Sequence, residues 1–347
     1  MTLLPPFWIP DYHAGRRDRL LMRGKIVATV REFFATQNFV EAEPAILQIS
    51  PGNETHLHAF ATELKMPAAL PQKLYMHTSP EFALKKLLAA GETRLLAISR
   101  CFRTGEFTPL HHPEFTMLEW YRAKEDYTVL MTDCADLVRA AAMRANCGQF
   151  HWRGKTCNPF ADFERITVAA AFKTYANMDI LATLTPDPDL AALRTQAQSI
   201  GIRLSSDDTW SDIFSKVLSA RIEPNLGEGR LTILDEYPSC EAALARKSQV
   251  DPRVSERFEL YACGIELANG FGELTDPIEQ RLRFEAEMAE KRRIYHEDYP
   301  LDEDFLSALQ LMPPASGIAL GLDRLIMLCT GATDIRDVLW TPMAAPL

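Results

Sequence analysis

Cys101-Phe102-Arg103-Thr104-Gly105-Glu106, a polar proline-bearing loop, then His111-His112-Pro113-Glu114-Phe115-Thr116-Met117-Leu118-Glu119-Trp120-Tyr121: this stretch decides the fold. Leu95 to Phe102 predicts one strand, Phe115 to Tyr121 another, and residues 104–113 join them as a hairpin. Alternation puts Phe115, Met117, Glu119 and Tyr121 on one face of the second strand and Thr116, Leu118 and Trp120 on the other. A carboxylate between two aromatic rings is costly to bury unless a cation or donor meets it. The strand is thus balanced between a core strand with a paired Glu and the wall of a ligand site.

Working outward, Arg16 to Phe34 carries a helical apolar stripe, and Pro44 ends any helix before the extended Val40-Glu41-Ala42-Glu43. Helices are predicted from Pro80-Glu81 to Gly91, over Val129–Arg144 and from Pro277 to His296. Residues 146–165 read as irregular, and 180–227 as helical patches broken by Pro186, Pro188 and Gly201, an insertion without a strong core of its own. Strands return from Leu231. Hairpins mixed with helices, without regular β-α-β alternation, predict an α+β fold with an antiparallel sheet flanked by helices.

Glutamates recur every seventh residue at Glu259, Glu266 and Glu273, but Gly264, Gly270 and Gly272 argue against a helix. A hairpin turning at Cys263-Gly264 fits, with Tyr261 opposite Glu266 and Glu259 and Glu266 as diagonal neighbours. Two such carboxylates repel, and Mg²⁺ shared with nucleotide phosphates would relieve them. Glu273, past two glycines, can turn toward a ligand amine. Gly317-Ile318-Ala319-Leu320-Gly321-Leu322-Asp323-Arg324 reads as a glycine-bearing strand entering an apolar helix, where an Arg can meet phosphate.

The 347 residues are 47% hydrophobic and 24% charged, enough for a sizeable core and unlike a disordered chain. No apolar run approaches the roughly 18 residues of a spanning helix, and the N-terminus has no basic segment of a secretory signal. The expected compartment is the cytoplasm, with no membrane association. Seven scattered cysteines without C-x-x-C spacing exclude a zinc ribbon and fit free thiols. A net charge of −10 disfavours a broad nucleic-acid footprint. His56-Leu57-His58 lacks a third metal ligand and reads as loop surface, and Lys291-Arg292-Arg293 as a solvated helix end.

Taken in order, these segments resemble the catalytic core of class II aminoacyl-tRNA synthetases, in the lysyl branch. Residues 20–47 resemble motif 1, 100–121 motif 2 and 317–328 motif 3. The likeness runs from Arg16 to Trp340-Thr341-Pro342 and implies a single catalytic domain over 1–347 without an anticodon-binding OB domain. Within the branch the chain is most similar to the free-standing paralogues that join (R)-β-lysine to elongation factor P. Gly105 stands where lysyl-tRNA synthetases carry Glu, and Ala319 where they carry Gly.

The resemblance implies ATP as substrate, Mg²⁺, lysine or (R)-β-lysine, elongation factor P as the protein acceptor, and a homodimer. It implies that Arg103 and Arg324 are catalytic and that Glu259 and Glu266 hold the metal. It implies an ATP site of Arg103, Thr104, Gly105, Glu106, His111, His112, Phe115, Glu266, Leu267, Gly321 and Arg324, with adenine between Phe115 and Arg324. The amino acid would meet Ser79, Glu81, Glu119, Tyr121, Glu273 and Ala319, with Glu273 and Tyr121 on the side-chain amine and Glu81 on the other. A truncated lysyl-tRNA synthetase is the alternative. The acidic balance and Ala319 count against tRNA as acceptor, and the five competent residues Arg103, Glu259, Glu266, Glu273 and Arg324 against a silent paralogue.

Overall fold

The computed structural model describes residues 4–67, 70–184 and 187–343. Pro186 and the first three residues of the proline-rich N-terminus lie outside them.

We number the strands of the main sheet β1 (Val40–Glu41), β2 (Arg94–Phe102), β3 (Glu114–Ala123), β4 (Glu164–Thr167), β5 (Thr232–Pro238), β6 (Val254–Ala262), β7 (Ile265–Gly272) and β8 (Ala315–Gly321). Their order across the sheet is β1-β2-β3-β8-β7-β6-β5-β4. The run from β2 to β5 is antiparallel throughout, and the end pairs β1/β2 and β5/β4 are parallel. The α+β expectation therefore holds, with a mixed sheet at its two edges.

One face of the sheet is covered by the helices Pro10–Ala35, Thr128–Arg144 and Leu322–Thr330. Ile26, Val30 and Phe34 from the first, Leu137 and Val138 from the second and Leu325 and Ile326 from the third meet Leu118, Trp120, Leu260, Ile318 and Leu320 of the strands in one buried cluster. The alternation read along β3 is thus realised, because Leu118 and Trp120 face this cluster while Phe115, Met117, Glu119 and Tyr121 face a cavity on the opposite side. The helices Glu81–Ala89, Pro277–Tyr295 and Glu303–Leu309 close the cavity side, joined by Phe82, Phe284 and Phe305.

Local signals explain most boundaries. Asp276 caps the Pro277–Tyr295 helix through the N–H groups of Ile278 and Glu279, with Pro277 in the first turn where no donor is lost. The Leu322–Thr330 helix ends at Gly331 with φ +65°.

Two expectations need correction. Residues 146–165 are not irregular: Phe150–Trp152 and Lys155–Asn158 form a hairpin, and Glu164–Thr167 joins the main sheet. The turn at Arg153-Gly154 has both φ angles positive (46° and 83°), the geometry of a tight hairpin, but strands of three and four residues leave no readable period. The middle segment also has a core of its own. Val168, Phe172, Leu193, Trp210, Phe214, Val217 and Ile222 cluster together and reach Leu234, Tyr237 and Tyr261 of the main sheet.

Among the described residues no helix is long and apolar enough to cross a membrane. The seven cysteines are free thiols.

Candidate active site

A cavity of about 390 Å³ opens on the sheet face formed by β3, β8, β7 and β6. Two bonded groups line it. One joins Ser79, Glu81, Glu119 and Tyr121; the other joins His111, Glu266 and Arg324, with the Arg257–Glu259 pair beside them. Arg103 donates to the Thr78 carbonyl (3.3 Å) next to the first group, and Glu54, Gly317 and Ala319 also line the cavity.

In the first group Glu119 is buried, and its carboxylate accepts hydrogen bonds from the Ser79 hydroxyl (2.5 Å) and the Tyr121 hydroxyl (3.0 Å). Hydroxyls satisfy it where the sequence suggested a cation or a donor. Burial first, and then the charge of Glu81, push the Glu119 carboxyl up to about 8. Ser79 also receives the N–H of Glu81, which fixes Glu81 at the start of its helix. One turn on, Lys85 has a side chain with 0% exposure and forms ion pairs with Glu81 and with Glu273, the latter at 2.5 Å.

Glu273 is the one carboxylate assigned from the sequence that the cavity wall leaves out. It sits a layer behind, 1% exposed, its Oε1 against Gly317 and without a hydrogen-bond donor. One ammonium cannot neutralise two carboxylates. Burial accordingly outweighs Lys85, and with the charge of Glu81 the Glu273 carboxyl is held at about 7. Burial works against the charge on Lys85, but Glu273 and Glu81 prevail and raise its pKa.

In the second group, the hairpin turning at Cys263-Gly264 pairs Tyr261 with Glu266, as expected, and a bulge next to Leu260 places Asn269 opposite Glu259. Cys263 and Gly264 have φ of +54° and +74°. Glu259 accepts from the hydroxyls of Tyr237 (2.5 Å) and Tyr261 (2.6 Å) and from Arg257 (2.6 Å). Glu266 has only a long ion pair with Arg324 (4.0 Å) among the described residues. Its side chain is 42% exposed yet stands within the concave wall, and burial there, followed by the charge of Glu259, raises its carboxyl to about 7.

These two carboxylates are the candidate Mg²⁺ ligands. Among the described residues no group of three or more His, Cys, Asp or Glu could hold a metal ion. A like-charged pair of carboxylates fits Mg²⁺ that arrives with nucleotide phosphates, because that ion keeps waters and needs only one or two protein carboxylates.

Arg324 donates to the Glu266 carbonyl (2.8 Å) and lies 2.7 Å from His111 Nε2. Burial and Arg324 lower the His111 pKa, so the ring is neutral and accepts this bond. Asp323, beside it, is buried and tied to Arg23 and to the Thr116 N–H (2.7 Å). That clamp fixes the start of the Leu322–Thr330 helix against β3 and so aims Arg324.

Several sequence assignments are refined. The guanidinium of Arg103 lies over Phe115, at 5.2 Å from its centroid. Glu106, Leu267, Ala319 and Gly321 line the cavity, whereas Thr104 and Gly105 do not. Gly105 turns with φ +79°, a conformation in which a Glu would be strained, and the next residue, Glu106, lines the cavity. His112 reaches the wall with both ring nitrogens spent, on the Glu114 carbonyl (2.6 Å) and the Met343 N–H (3.1 Å).

The sequence reading missed Lys85, Arg257, Asn269 and Glu54. Lys85 was signalled by its i+4 spacing from Glu81, and Arg257 by its alternation with Glu259. Lys291 was misread as solvated. It is fully buried and donates to the carbonyls of Thr55 (3.0 Å) and Leu57 (2.6 Å).

The family described as tRNA synthetases class II (D, K and N) matches residues 12–345. The chain belongs to that family. An elongation factor P--(R)-beta-lysine ligase of Haemophilus ducreyi is 38% identical over 322 residues, covering 92% of each chain. One of Proteus mirabilis is 37% identical over 328 residues, 93% of this chain and 94% of the relative. A lysine--tRNA ligase of Pelotomaculum thermopropionicum is 35% identical over 326 residues, 93% of this chain but 63% of its own.

Proposed function

We propose that the chain activates (R)-β-lysine or lysine with ATP and transfers it to a lysine ε-amine of elongation factor P. The observation that carries this reading is that one cavity is lined both by carboxylates suited to amines, Glu119 and Glu81, and by arginines suited to phosphates, Arg103 and Arg324. Near-full coverage of relatives bearing that ligase name supports it, and the partial coverage of the tRNA ligase gives the alternative less weight.

In the first step the amino-acid carboxylate oxygen attacks the α-phosphorus of ATP, and the bond to pyrophosphate breaks. Arg103 would offset charge at the α-phosphate, and Arg324, aimed by Asp323 and His111, would meet the terminal phosphates. Bound Mg²⁺, held by Glu259 and Glu266, would neutralise phosphate charge. In the second step the neutral acceptor amine attacks the acyl carbon, AMP leaves, and the amine loses its proton as the amide forms. Glu119 with Tyr121, and Glu81 with Lys85 behind it, would orient the two amines of the bound substrate. We also propose a homodimer built on motif 1, at the exposed Val40, Ile46, Leu47 and Ile49.

An acceptor assay tests the reading. The enzyme with ATP, Mg²⁺ and (R)-β-lysine is offered elongation factor P or total tRNA, and intact masses are measured. One added lysyl unit on the factor, with uncharged tRNA, is expected. Charged tRNA beside an unmodified factor would overturn the proposal in favour of a minimal tRNA ligase.

A further inference from the structure

The loop 51–58 is fastened to the Pro277–Tyr295 helix and the residues after it on both sides of a single glutamate. Asn53 donates to the Pro300 carbonyl (3.4 Å), Thr55 Oγ1 to the Glu287 carbonyl (3.0 Å), and the Thr55 N–H to the Glu287 carboxylate (2.9 Å). His56 meets the Tyr295 hydroxyl and His58 the Glu297 carboxylate, both at 2.9 Å, and buried Lys291 holds the carbonyls of Thr55 and Leu57. Thus every polar side chain of the loop near Glu54 has a partner in the fold. Glu54 has none: among the described residues no cation lies within 4.0 Å of its carboxylate and no donor bonds to it.

Glu54 enters the wall of the main cavity beside Glu81, and it also lines an adjoining recess of about 20 Å³ with Ser79, Glu81, Phe82 and Leu244. That volume holds one water-sized group, the size of an ammonium. Burial and the charge of Glu81 raise the Glu54 carboxyl to about 7. Arg103 and Arg257 draw it down, but from beyond ion-pair distance, and Glu287 adds to the repulsion.

Resting on the amino-acid-activating reading above, we infer that Glu54 is a specificity-determining residue: with Glu81 it receives the second ammonium of a diamino acid in this recess, while Glu119 and Tyr121 serve the other. A rigid loop presenting one unpartnered carboxylate to a cation-sized recess is the arrangement that selects two amines over one. A fully formed site of this kind rejects an analogue lacking the group it is built to bond.

ATP–pyrophosphate exchange with the Glu54→Gln enzyme tests the inference. The KM for (R)-β-lysine should rise at least about 10-fold, the loss expected for a hydrogen bond to a charged group. The KM for ATP should stay within about twofold, since the inference gives Glu54 no contact with the phosphates. The Glu54→Asp enzyme should recover part of the loss. Because Glu54 stands unpaired among like charges, the Glu54→Gln protein should melt no lower than the parent, an outcome that a merely structural residue would reverse. An unchanged KM for (R)-β-lysine, an equal rise in both KM values, or a lowered melting temperature would overturn the inference. Parent enzyme that exchanges with neither lysine nor (R)-β-lysine would instead sink the proposed function itself, and Glu54 with it.

Discussion

Replacing Lys85 by Met removes one buried charge while keeping the unbranched shape and most of the volume. The Lys85 side chain is 0% exposed and its partners Glu81 and Glu273 are 13% and 1% exposed, so the change strands two carboxylates in the wall. Breaking a buried ion pair from one side costs about 3–5 kcal/mol. At ~2.1 cal/mol/K per residue, 347 residues give ~0.73 kcal/mol/K, so the melting temperature should fall by about 4–7 °C.

The loss has a pH signature. Glu273 is held at about 7 with Lys85 present, above its unfolded value, and loss of the ammonium raises it further. A carboxyl raised in the folded state contributes stability below its unfolded pKa and loses it as pH rises through the folded one. The deficit of Lys85→Met should therefore be greatest near pH 8–9 and shrink as pH falls below about 7. Calorimetric melts across that range measure it, and the Lys85→Met/Glu273→Gln double variant should regain more than half of the loss. A drop under about 1 °C, a drop independent of pH, or no rescue by the double variant would refute the reasoning.

Gly317→Ala should raise the KM for the amino acid without altering that for ATP, because the new Cβ overlaps Glu273 Oε1 and the Tyr121 ring; the overpacking costs about 1–3 kcal/mol. Glu266→Gln should raise the Mg²⁺ concentration for half-maximal exchange at least about 10-fold, and an unchanged Mg²⁺ dependence would remove Glu266 from the metal. Binding of (R)-β-lysine near pH 7.5 should release protons, since Glu119 (about 8) and Glu54 (about 7) are partly protonated before an ammonium arrives. Titration calorimetry in buffers of different ionisation enthalpy reads the release, and net uptake would contradict it.

Much of this arrangement was legible because strand alternation has a fixed period. Phe115, Met117, Glu119 and Tyr121 reach one wall for that reason alone, and the glycine turn at Cys263-Gly264 set the pairing of Tyr261 with Glu266. The bulge beside Leu260 broke the period, which hid Asn269. Lys85, Lys291 and Glu54 were hidden for another reason. A charged residue on a helix end or in a polar loop looks solvated, and only the tertiary contacts reveal that two of these are buried and the third lines a recess without a partner. The hairpin of Phe150–Trp152 and Lys155–Asn158 was too short to carry a pattern. The two glycines before Glu273 suggest a turn toward a ligand amine, but nothing in its local sequence signals that Lys85, from another helix, pairs with it.

The hydroxyls that hold Glu259 belong to Tyr237 and Tyr261, and the rings of those tyrosines are part of the apolar cluster built by residues 168–226. The ring of Tyr237 lies 6.4 Å from that of Phe214. One pair of side chains therefore belongs both to the middle segment's core and to the carboxylate proposed to meet the nucleotide's metal. Local opening of the segment would withdraw two donors from Glu259, so nucleotide bound there is spent partly on keeping the segment shut. By reciprocity, amides between 168 and 226 should exchange with deuterium more slowly once nucleotide is bound, although they line no part of the cavity.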